Sequence, residues 1–342
     1  MTPRKTSARF VKSVLVRQAS DESIWNGVCW AIGVMNRIAT DAVMLEAIET
    51  IGRRSIAQDQ SERDRMFTRL YDKVRETPLW LSTANGELYS VEYATQGTVS
   101  RPPVVIAAPD GEERAWAART MVLVARTLAH YGSMVYRFDH LGQGESEGNY
   151  EATTWASRQA DLDAALRIAR QRSGQTPIVL GVRLGGTLAL AAVKRGTPMA
   201  GLVVWEPVID PAQYVHQLLR VNVSTQMVAL GRIERDRSDL IADARRGGVI
   251  NVNGFGLSGP FIDALLALDL DSKIGQLSIP TLWLSSVAAD QTVTSNSSVV
   301  AKRVSKIPFW REPKSHRSVP PSFLAETVEW LASTRHGRGV AK

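Results

Sequence analysis

A strand, a glycine-flanked turn and a helix follow one another at residues 176–194, and the residue at the centre of the turn limits what chemistry the chain can do. The apolar run TPIVL leads into GVRLGG, and an Ala/Leu-rich helical pattern begins at Thr187. Turns of this kind present their central residue on a sharp bend, where catalytic serines are found. Here the central residue is Arg183. Because a guanidinium stays protonated and has no free lone pair, Arg183 cannot be a nucleophile.

Two later residues have the chain order expected of an orienting acid and a base. Asp290 follows a predicted strand at Thr281–Leu284, and His316 follows a predicted strand that ends at Trp310. In a nucleophile, acid and base site, these groups come from the ends of successive strands. We therefore expect Asp290 and His316 to face each other across the site. They would then orient a nucleophile or activate water directly, with Arg183 holding an anionic substrate. The nearest candidates for a substitute nucleophile are Ser258, Ser285, Ser286 and Ser315.

The charge of Arg183 requires a negative partner, because the amino end of a helix is already positive. The partner is expected to be Asp290, the loop after the first predicted parallel strand, or a bound carboxylate or phosphate. This loop supplies an oxyanion-binding N–H in acyl-transfer enzymes. Its residues are Asp110, Gly111, Glu112 and Glu113. We expect the three acids to pair with Arg183 and to repel an oxyanion. Arg183 then either forms a structural ion pair that fills the pocket or anchors an anion in a pocket that stays accessible.

Alternating strand and helix patterns predict the scaffold that positions these residues. The segment LWLSTANGELYSVEY predicts a hairpin, and the later strands lack polar positions, which is typical of a parallel sheet covered on both faces. The predicted strands after the hairpin are Val104–Ala108, Met134–Phe138, Thr176–Leu180, Leu202–Trp205, Pro280–Leu284 and Ile307–Trp310, and the predicted helices include Trp116–Tyr131 and Trp155–Gln171. The fold class is therefore α/β, a mostly parallel sheet flanked by helices.

The domain boundaries follow from breaks in this pattern. Residues 1–20 are predicted to be a basic flexible tail, residues 21–77 an N-terminal helical extension, and residues 336–342 a flexible carboxyl terminus. Residues 79–335 form the main domain, with a helical cap insertion at about 210–275. The apolar stripes of residues 21–76 are expected to pack on the main domain, and the alternative is an interface with a second copy or a protein partner.

Charge and composition exclude several function classes. The net charge is +7, but five basic residues precede the first acid at Asp21, which leaves +2 for the rest and argues against nucleic-acid binding. A peripheral membrane contact through the basic amino terminus stays open. The single cysteine, Cys29, fits a reducing compartment, so we predict a cytoplasmic protein. No metal or organic cofactor is expected, because no His/Cys/Asp cluster or dinucleotide-type glycine spacing is present.

The loop FDHLGQGESEG at residues 138–148 makes the pattern more specific. Together with the elbow and the late Asp and His, it resembles the α/β-hydrolase superfamily, in its serine-aminopeptidase-like and monoglyceride-lipase-like branch, over roughly Leu79–Ala332. The segments EERAWAARTMVLVARTLAHYG, GVRLGG, LVVWEPVIDPAQYVHQLLR and GGVINVNGFGLS are similar to the exosortase-A-associated hydrolases that carry Arg at the elbow. This likeness implies that Arg183 is a feature of that family. The helical block before residue 77 is not part of the likeness.

Three functions follow as hypotheses. The first is an enzyme acting on a small acyl or anionic substrate with an ester, thioester or peptide bond, in which His316 is the base and Asp290 its orienting acid. The second is a non-catalytic pseudo-hydrolase that binds such a ligand without turnover. The third is a scaffold in which residues 21–76 dock a partner. An ion pair between Arg183 and an acid, if it closed the cleft, would argue against the enzyme and the pseudo-hydrolase hypotheses.

Overall fold

The computed structural model describes residues 73–270, 277–286, 298–304, 308–311 and 321–333. The predicted tails and nearly all of the predicted helical extension, including Cys29, lie outside these residues. The described residues divide between two compact units. One contains residues 74–311 and the other contains the helix α7, Pro321–Ser333, and each is described by itself. None of the described helices combines the length and the apolar character that a bilayer span requires.

One mixed sheet of eight strands organises the described part of the larger unit. The strands are β1 Val74–Thr83, β2 Gly86–Thr95, β3 Val104–Ala107, β4 Val135–Phe138, β5 Ile178–Val182, β6 Gly201–Trp205, β9 Thr281–Ser285 and β10 Val299–Arg303. Their order in the sheet is β1-β2-β4-β3-β5-β6-β9-β10, in which the first three strands pair antiparallel and all the others pair parallel. This topology confirms the predicted α/β class.

Three helices connect the central strands and cover the sheet. They are α1 Gly111–His130, α2 Trp155–Ser173 and α3 Leu184–Lys194. Every residue of β3, β5 and β6 is buried, which is why these segments read as continuous apolar runs in the sequence. Because the parallel strands end at one edge of the sheet, the residues that directly follow β3, β5, β6 and β9 lie at the same edge.

Two predicted element assignments were wrong. Val74–Thr77 belongs to β1 and not to a helix, because the hairpin register extends to the pair Val74 and Thr95 and its cross-strand bonds override the local helical pattern. The strand that pairs with β9 is Val299–Arg303, whereas residues 308–310 of the predicted strand Ile307–Trp310 are not in a strand. Residues 308–311 form a turn that begins at Pro308, which has no N–H to donate to a sheet.

The segment between β6 and β9, residues 206–280, is called the insertion. It contains α4 Pro211–Leu230, α5 Arg237–Arg245, a hairpin of β7 Val249–Val252 and β8 Phe255–Ser258, and α6 Gly259–Leu266. The hairpin was not predicted, although Asn253-Gly254 is a strong signal for a two-residue turn. Both residues have positive φ, 50° and 89°, as such turns require. The role of the insertion as a cap stays a prediction.

Gly185 allows α3 to approach β3 closely at the turn after β5. A Cβ atom at this position would lie 2.2 Å from the carbonyl oxygen of Ala107 and 2.4 Å from that of Ala108. Both obstacles are backbone atoms, which cannot rotate away as a side chain would. The glycine spacing of the turn is therefore a packing requirement, whatever residue occupies its centre.

Replacing Gly185 with Ala is expected to lower the free energy of unfolding by at least about 1–3 kcal/mol, because the added methyl group forces α3 away from β3. Urea denaturation of the purified variant measures this. Gly97→Ala is the matched control, since its Cβ would meet only Thr95 Oγ1 at 3.5 Å. Equal stability of the two variants would show that the close approach of α3 is not required.

Candidate functional site

Arg183 lies between β5 and α3 in a backbone conformation that few non-glycine residues adopt, with φ 53° and ψ −122°. Its N–H donates to the carbonyl of Trp205 at 3.0 Å, and its own carbonyl accepts from the N–H of Gly186 at 2.9 Å. Strained conformations of this kind cost on the order of 1–3 kcal/mol and persist only where surrounding bonds hold them. The turn therefore fixes the Arg183 backbone at the carboxyl end of β5.

The Arg183 side chain is bound on three sides. Its Nε and Nη2 atoms donate to the Glu113 carboxylate at 3.2 Å and 3.0 Å, and Nη1 donates to the carbonyl of Glu206 at 3.1 Å. The guanidinium also lies over the Trp310 ring, 5.1 Å from its centroid. The side chains of Arg183 and Glu113 are 14% and 17% exposed. Such a bidentate, shielded arrangement favours a structural ion pair over an anchor for a ligand anion.

Glu113 depends on this arginine for its charge. Burial raises the pKa of the Glu113 carboxyl above its ordinary value, and the charges of Arg183 and Arg311 oppose that rise without cancelling it. Glu113 also lies in the first turn of α1, where a carboxylate is favoured by the helix dipole. An uncompensated Glu113 would therefore bind a proton more readily than an exposed glutamate.

The expectation that all three loop acids pair with Arg183 was wrong for two of them. Asp110 is the N-cap of α1 and accepts from the Gly111 N–H at 2.7 Å. Glu112 accepts from the Asn253 side chain at 2.8 Å, across to the tip of the β7–β8 hairpin. The loop acids thus have three separate partners because α1 starts at Gly111, and its helical turn points successive side chains in different directions.

Asp110 is the centre of a buried hydrogen-bond network. It accepts from Arg158 Nε at 2.9 Å, from the Tyr150 hydroxyl at 2.9 Å and from the Gln143 side-chain amide. Burial alone raises the pKa of Asp110, but the charge of Arg158 above all, then that of His140 and the hydrogen bonds, lower it below the ordinary value. Asp110 is therefore a stable carboxylate whose lone pairs are committed to the protein.

A second buried pair lies beside this network. His140 Nδ1 is 2.9 Å from Asp161 Oδ2, and the N–H of Leu141 donates to the same oxygen at 3.1 Å. Burial lowers the pKa of His140, so the imidazole is mostly neutral near pH 7. Arg158 Nη1 donates to the Leu141 carbonyl at 2.9 Å, which ties the pair to the Asp110 network.

Sequence reasoning missed most of this network. The segment FDHLGQGESEG was recognised only as a glycine-rich loop, although it carries His140 and Gln143. Arg158 and Asp161 lie three residues apart on α2 in an otherwise apolar stripe, and both are fully buried. A charged pair at core positions of a helix is a usable signal, because such residues are seldom buried unless they are paired.

A cleft of about 310 Å³ opens beside the elbow. Its polar lining comes mainly from the loop after β3, and its apolar lining comes mainly from the insertion. The apolar and aromatic lining residues are Trp116, Tyr150, Leu184, Tyr214, Leu218, Val221, Val252, Phe255, Leu257, Phe261 and Trp310, and the charged ones are Asp110, Glu112, Glu113 and Arg311. The ion pair of Arg183 and Glu113 therefore borders an open cleft and does not fill it.

Comparison with solved structures supports the fold assignment. The hypothetical protein PA2218 from Pseudomonas aeruginosa aligns with a TM-score of 0.51 and 14% identity, over 81% of this chain and 99% of that chain. VinJ aligns with a TM-score of 0.50 and 15% identity, over 75% of this chain and 98% of that chain. A sequence profile described as serine aminopeptidase, S33, matches residues 114–243. No curated protein matches the sequence of this chain.

The profile match includes the elbow, and the strand order joins it to an antiparallel hairpin on one side and to parallel strands on the other. The chain has the α/β-hydrolase fold. Within this fold the sharp turn after the nucleophile strand is the expected place for a catalytic serine, and here Arg183 occupies the turn after β5.

The remaining predicted members of the α/β-hydrolase site, Asp290 and His316, lie outside the described residues. The sequence also offered Ser258, Ser285 and Ser286 as substitute nucleophiles. Ser258 donates to the Thr153 carbonyl at 2.9 Å and caps α6, and the Ser285 hydroxyl donates to Glu206 at 3.2 Å. The backbone N–H of Ser286 also donates to Glu206. Ser258 and Ser285 thus serve local structure, while Ser315 lies in a segment without description.

Metal coordination has no counterpart in the part of the chain that the structure describes. There, no group of three or more His, Cys, Asp or Glu side chains is arranged to hold an ion. The His140 and Asp161 pair has only two such groups, and its histidine nitrogen is committed to the carboxylate.

Replacing Asp110 with Asn tests the buried network. Asn retains the N-cap but leaves the Arg158 charge buried and unpaired, so we expect a loss of about 3–5 kcal/mol in the free energy of unfolding at pH 7. Because the folded-state pKa of Asp110 is lowered, its stabilisation is fully present well above 3.8, the ordinary value, and is lost as pH falls through the folded-state pKa. The stability gap between the two proteins should therefore narrow below about pH 4.

Asp163→Asn is the matched control, since its partner Arg195 is partly exposed and the pair contributes only about 0–1 kcal/mol. Thermal unfolding of the three proteins between pH 3 and pH 7 gives the comparison. A gap between wild type and Asp110→Asn that is constant over this range would contradict the role assigned to the Asp110 charge.

Proposed function

We propose that this α/β-hydrolase-fold protein binds a small acyl ligand in the cleft beside the elbow and does not transfer the acyl group through an elbow nucleophile. The observation that carries the proposal is the bidentate ion pair of Arg183 and Glu113 at the edge of an open cleft. A pseudo-hydrolase of this kind retains the scaffold and the ligand space of an enzyme, whereas the group that would attack the ligand is replaced.

The chemistry of the elbow supports binding without acyl transfer. A guanidinium offers only donors, and three of those on Arg183 are already used by Glu113 and Glu206. None of the described residues that line the cleft is a serine, a threonine or a cysteine. Acyl transfer through a covalent intermediate requires such a group or another activated nucleophile.

The loop after β3 supports the same conclusion. In acyl-transfer enzymes a backbone N–H of this loop stabilises the oxyanion that develops during attack. The Gly111 N–H donates instead to the Asp110 side chain, and the Asp110 and Glu113 carboxylates would repel a negative oxygen. The electrostatic contribution on which this chemistry relies is thereby weakened.

The lining of the cleft favours an apolar ligand body. Its volume of about 310 Å³ is at the lower end of the range of about 300–1,000 Å³ found for small-molecule sites. Most of its wall is aliphatic or aromatic, and the carboxylates Asp110 and Glu113 in it are matched by the cations Arg158 and Arg183. Glu112 and Arg311 also line the cleft, so an acyl chain would bury its surface against the aliphatic and aromatic part of the wall.

Binding is tested by thermal shift and by calorimetry with ethyl esters of six to twelve carbons. We expect saturable binding to the wild type and at least a tenfold loss in Val221→Trp, which places a large ring at the cleft wall. Val228→Trp is the matched control, because it lies on the same helix, is 89% exposed and does not line the cleft. Equal affinities of the two variants would contradict binding in the cleft.

Turnover is tested separately with p-nitrophenyl esters and acyl thioesters of the same chain lengths. We expect no hydrolysis above the rate in buffer. Hydrolysis by the wild type that His316→Ala abolishes would overturn the proposal and would support the alternative in which His316, oriented by Asp290, activates water. The scaffold hypothesis for residues 21–76 predicts nothing about ligand binding or turnover and stays a separate prediction.

A further inference from the structure

Tyr214 is one of the residues by which the insertion lines the cleft. It lies in the first turn of α4, where its N–H donates to the carbonyl of the N-cap residue Asp210 at 3.1 Å. The connection before α4 is tied to the elbow, because Thr187 Oγ1 donates to the Val208 carbonyl at 2.7 Å. Tyr214 is 6% exposed and lines the cleft together with Glu113 and Tyr150.

The hydroxyl of Tyr214 has no hydrogen-bond partner among the residues that the structure describes. Its oxygen is not fully enclosed by the protein, and because Tyr214 lines the cleft, this indicates that the hydroxyl faces the cleft. The other tyrosine of the cleft differs, since the Tyr150 hydroxyl donates to Asp110. Buried polar groups are almost always paired, so a mostly buried phenol with a free O–H favours the binding of a hydrogen-bond acceptor.

The surroundings of this hydroxyl disfavour negative charge. Burial above all, then the charges of Glu113 and Asp110, raise the pKa of Tyr214 well above its ordinary value, and Arg183 only partly offsets them. The phenol therefore remains a protonated donor. A ligand oxygen that accepts from it would lie in the same surroundings, where a carboxylate oxygen is disfavoured for the same reason that a phenolate is.

We propose that Tyr214 recognises the head group of the ligand by donating a hydrogen bond to an uncharged carbonyl oxygen, so that the cleft takes neutral acyl compounds in preference to free carboxylates. This inference rests on the proposed function and makes it more specific. The ligand class comprises ketones, esters, thioesters and amides with a short apolar body. The carbonyl is held and not attacked, which requires no group beyond those in the cleft wall.

Three probes of similar size separate the contribution of the carbonyl oxygen to binding from those of the apolar body and of a negative charge. They are 2-octanone, 2-methyl-1-octene, in which a methylene group replaces the carbonyl oxygen, and octanoate. We expect the wild type at pH 8 to bind the ketone most tightly. In Tyr214→Phe the affinity for the ketone should fall about 2- to 10-fold, as for the loss of one neutral hydrogen bond, while the affinity for the alkene should stay within about twofold. Ligand-observed NMR measures all three.

Tyr89→Phe is the matched control outside the cleft and should leave all three affinities unchanged. The melting temperature of ligand-free Tyr214→Phe should equal that of the wild type, because no internal hydrogen bond is removed. Ketone binding unchanged in Tyr214→Phe, an equal loss for ketone and alkene, or tighter binding of octanoate would each overturn the role of Tyr214. Failure of every probe to bind the wild type would instead overturn the proposed function together with this inference.

Discussion

A guanidinium and a carboxylate, both largely shielded from water, meet where the ends of β5 and β6 come close to the start of α1. Arg183 sits on a backbone that only its neighbours' hydrogen bonds hold in place, and Glu113 keeps its charge against burial because Arg183 is beside it. Removing either partner would leave a charge with little access to water, and such losses cost far more than the net contribution of an intact pair. The elbow, the start of α1 and the wall of the cleft all depend on this contact.

The pairing of buried charges with opposite charges extends through the site. Asp110 is matched by Arg158, and further donors occupy its oxygens, so Asp110 and Glu113 both enter the cleft wall as compensated charges. The rest of that wall is largely apolar, and Tyr214 adds a hydroxyl with no partner among the described residues. In an acyl-transfer enzyme, donors would be arranged to receive a developing negative charge. Here Arg183 Nε and Nη2 donate to Glu113 and the Gly111 N–H donates to Asp110, so these donors are already bound by acids of the protein itself.

Much of the fold could be predicted because it follows from periodicity. Strands buried on both faces read as apolar runs, and the Ala-Asn-Gly turn marked the first hairpin. The errors arose where tertiary pairing decided the outcome. The residues before Pro78 have a helical pattern, but they pair with β2 as part of β1. The apolar run Ile307–Trp310 predicts a strand, whereas the strand beside β9 is Val299–Arg303, whose polar residues suit the edge of the sheet.

The site was harder to predict than the fold. Spacing identified Arg183 and named Glu113 among its candidate partners, but it could not distinguish Glu113 from Asp110 or Glu112, because that choice depends on where α1 begins. Arg158 and Tyr150 lie more than 35 residues from Asp110, and nothing local links them to it. Tyr214 reads as one more apolar position of a helix, and only the packing shows that it lines the cleft with a hydroxyl that has no partner among the described residues.

The dependence of the site on the ion pair of Arg183 and Glu113 can be measured by a double-mutant cycle on the free energy of unfolding, with Arg183→Met, Glu113→Gln and the double variant. The exposed pair Arg232 and Glu234, 76% and 48% exposed, serves as the reference cycle. We expect a coupling energy of about 1–3 kcal/mol between Arg183 and Glu113, against about 0–1 kcal/mol for the reference pair. A coupling energy for Arg183 and Glu113 no larger than that of the reference would contradict the claim that this ion pair organises the site.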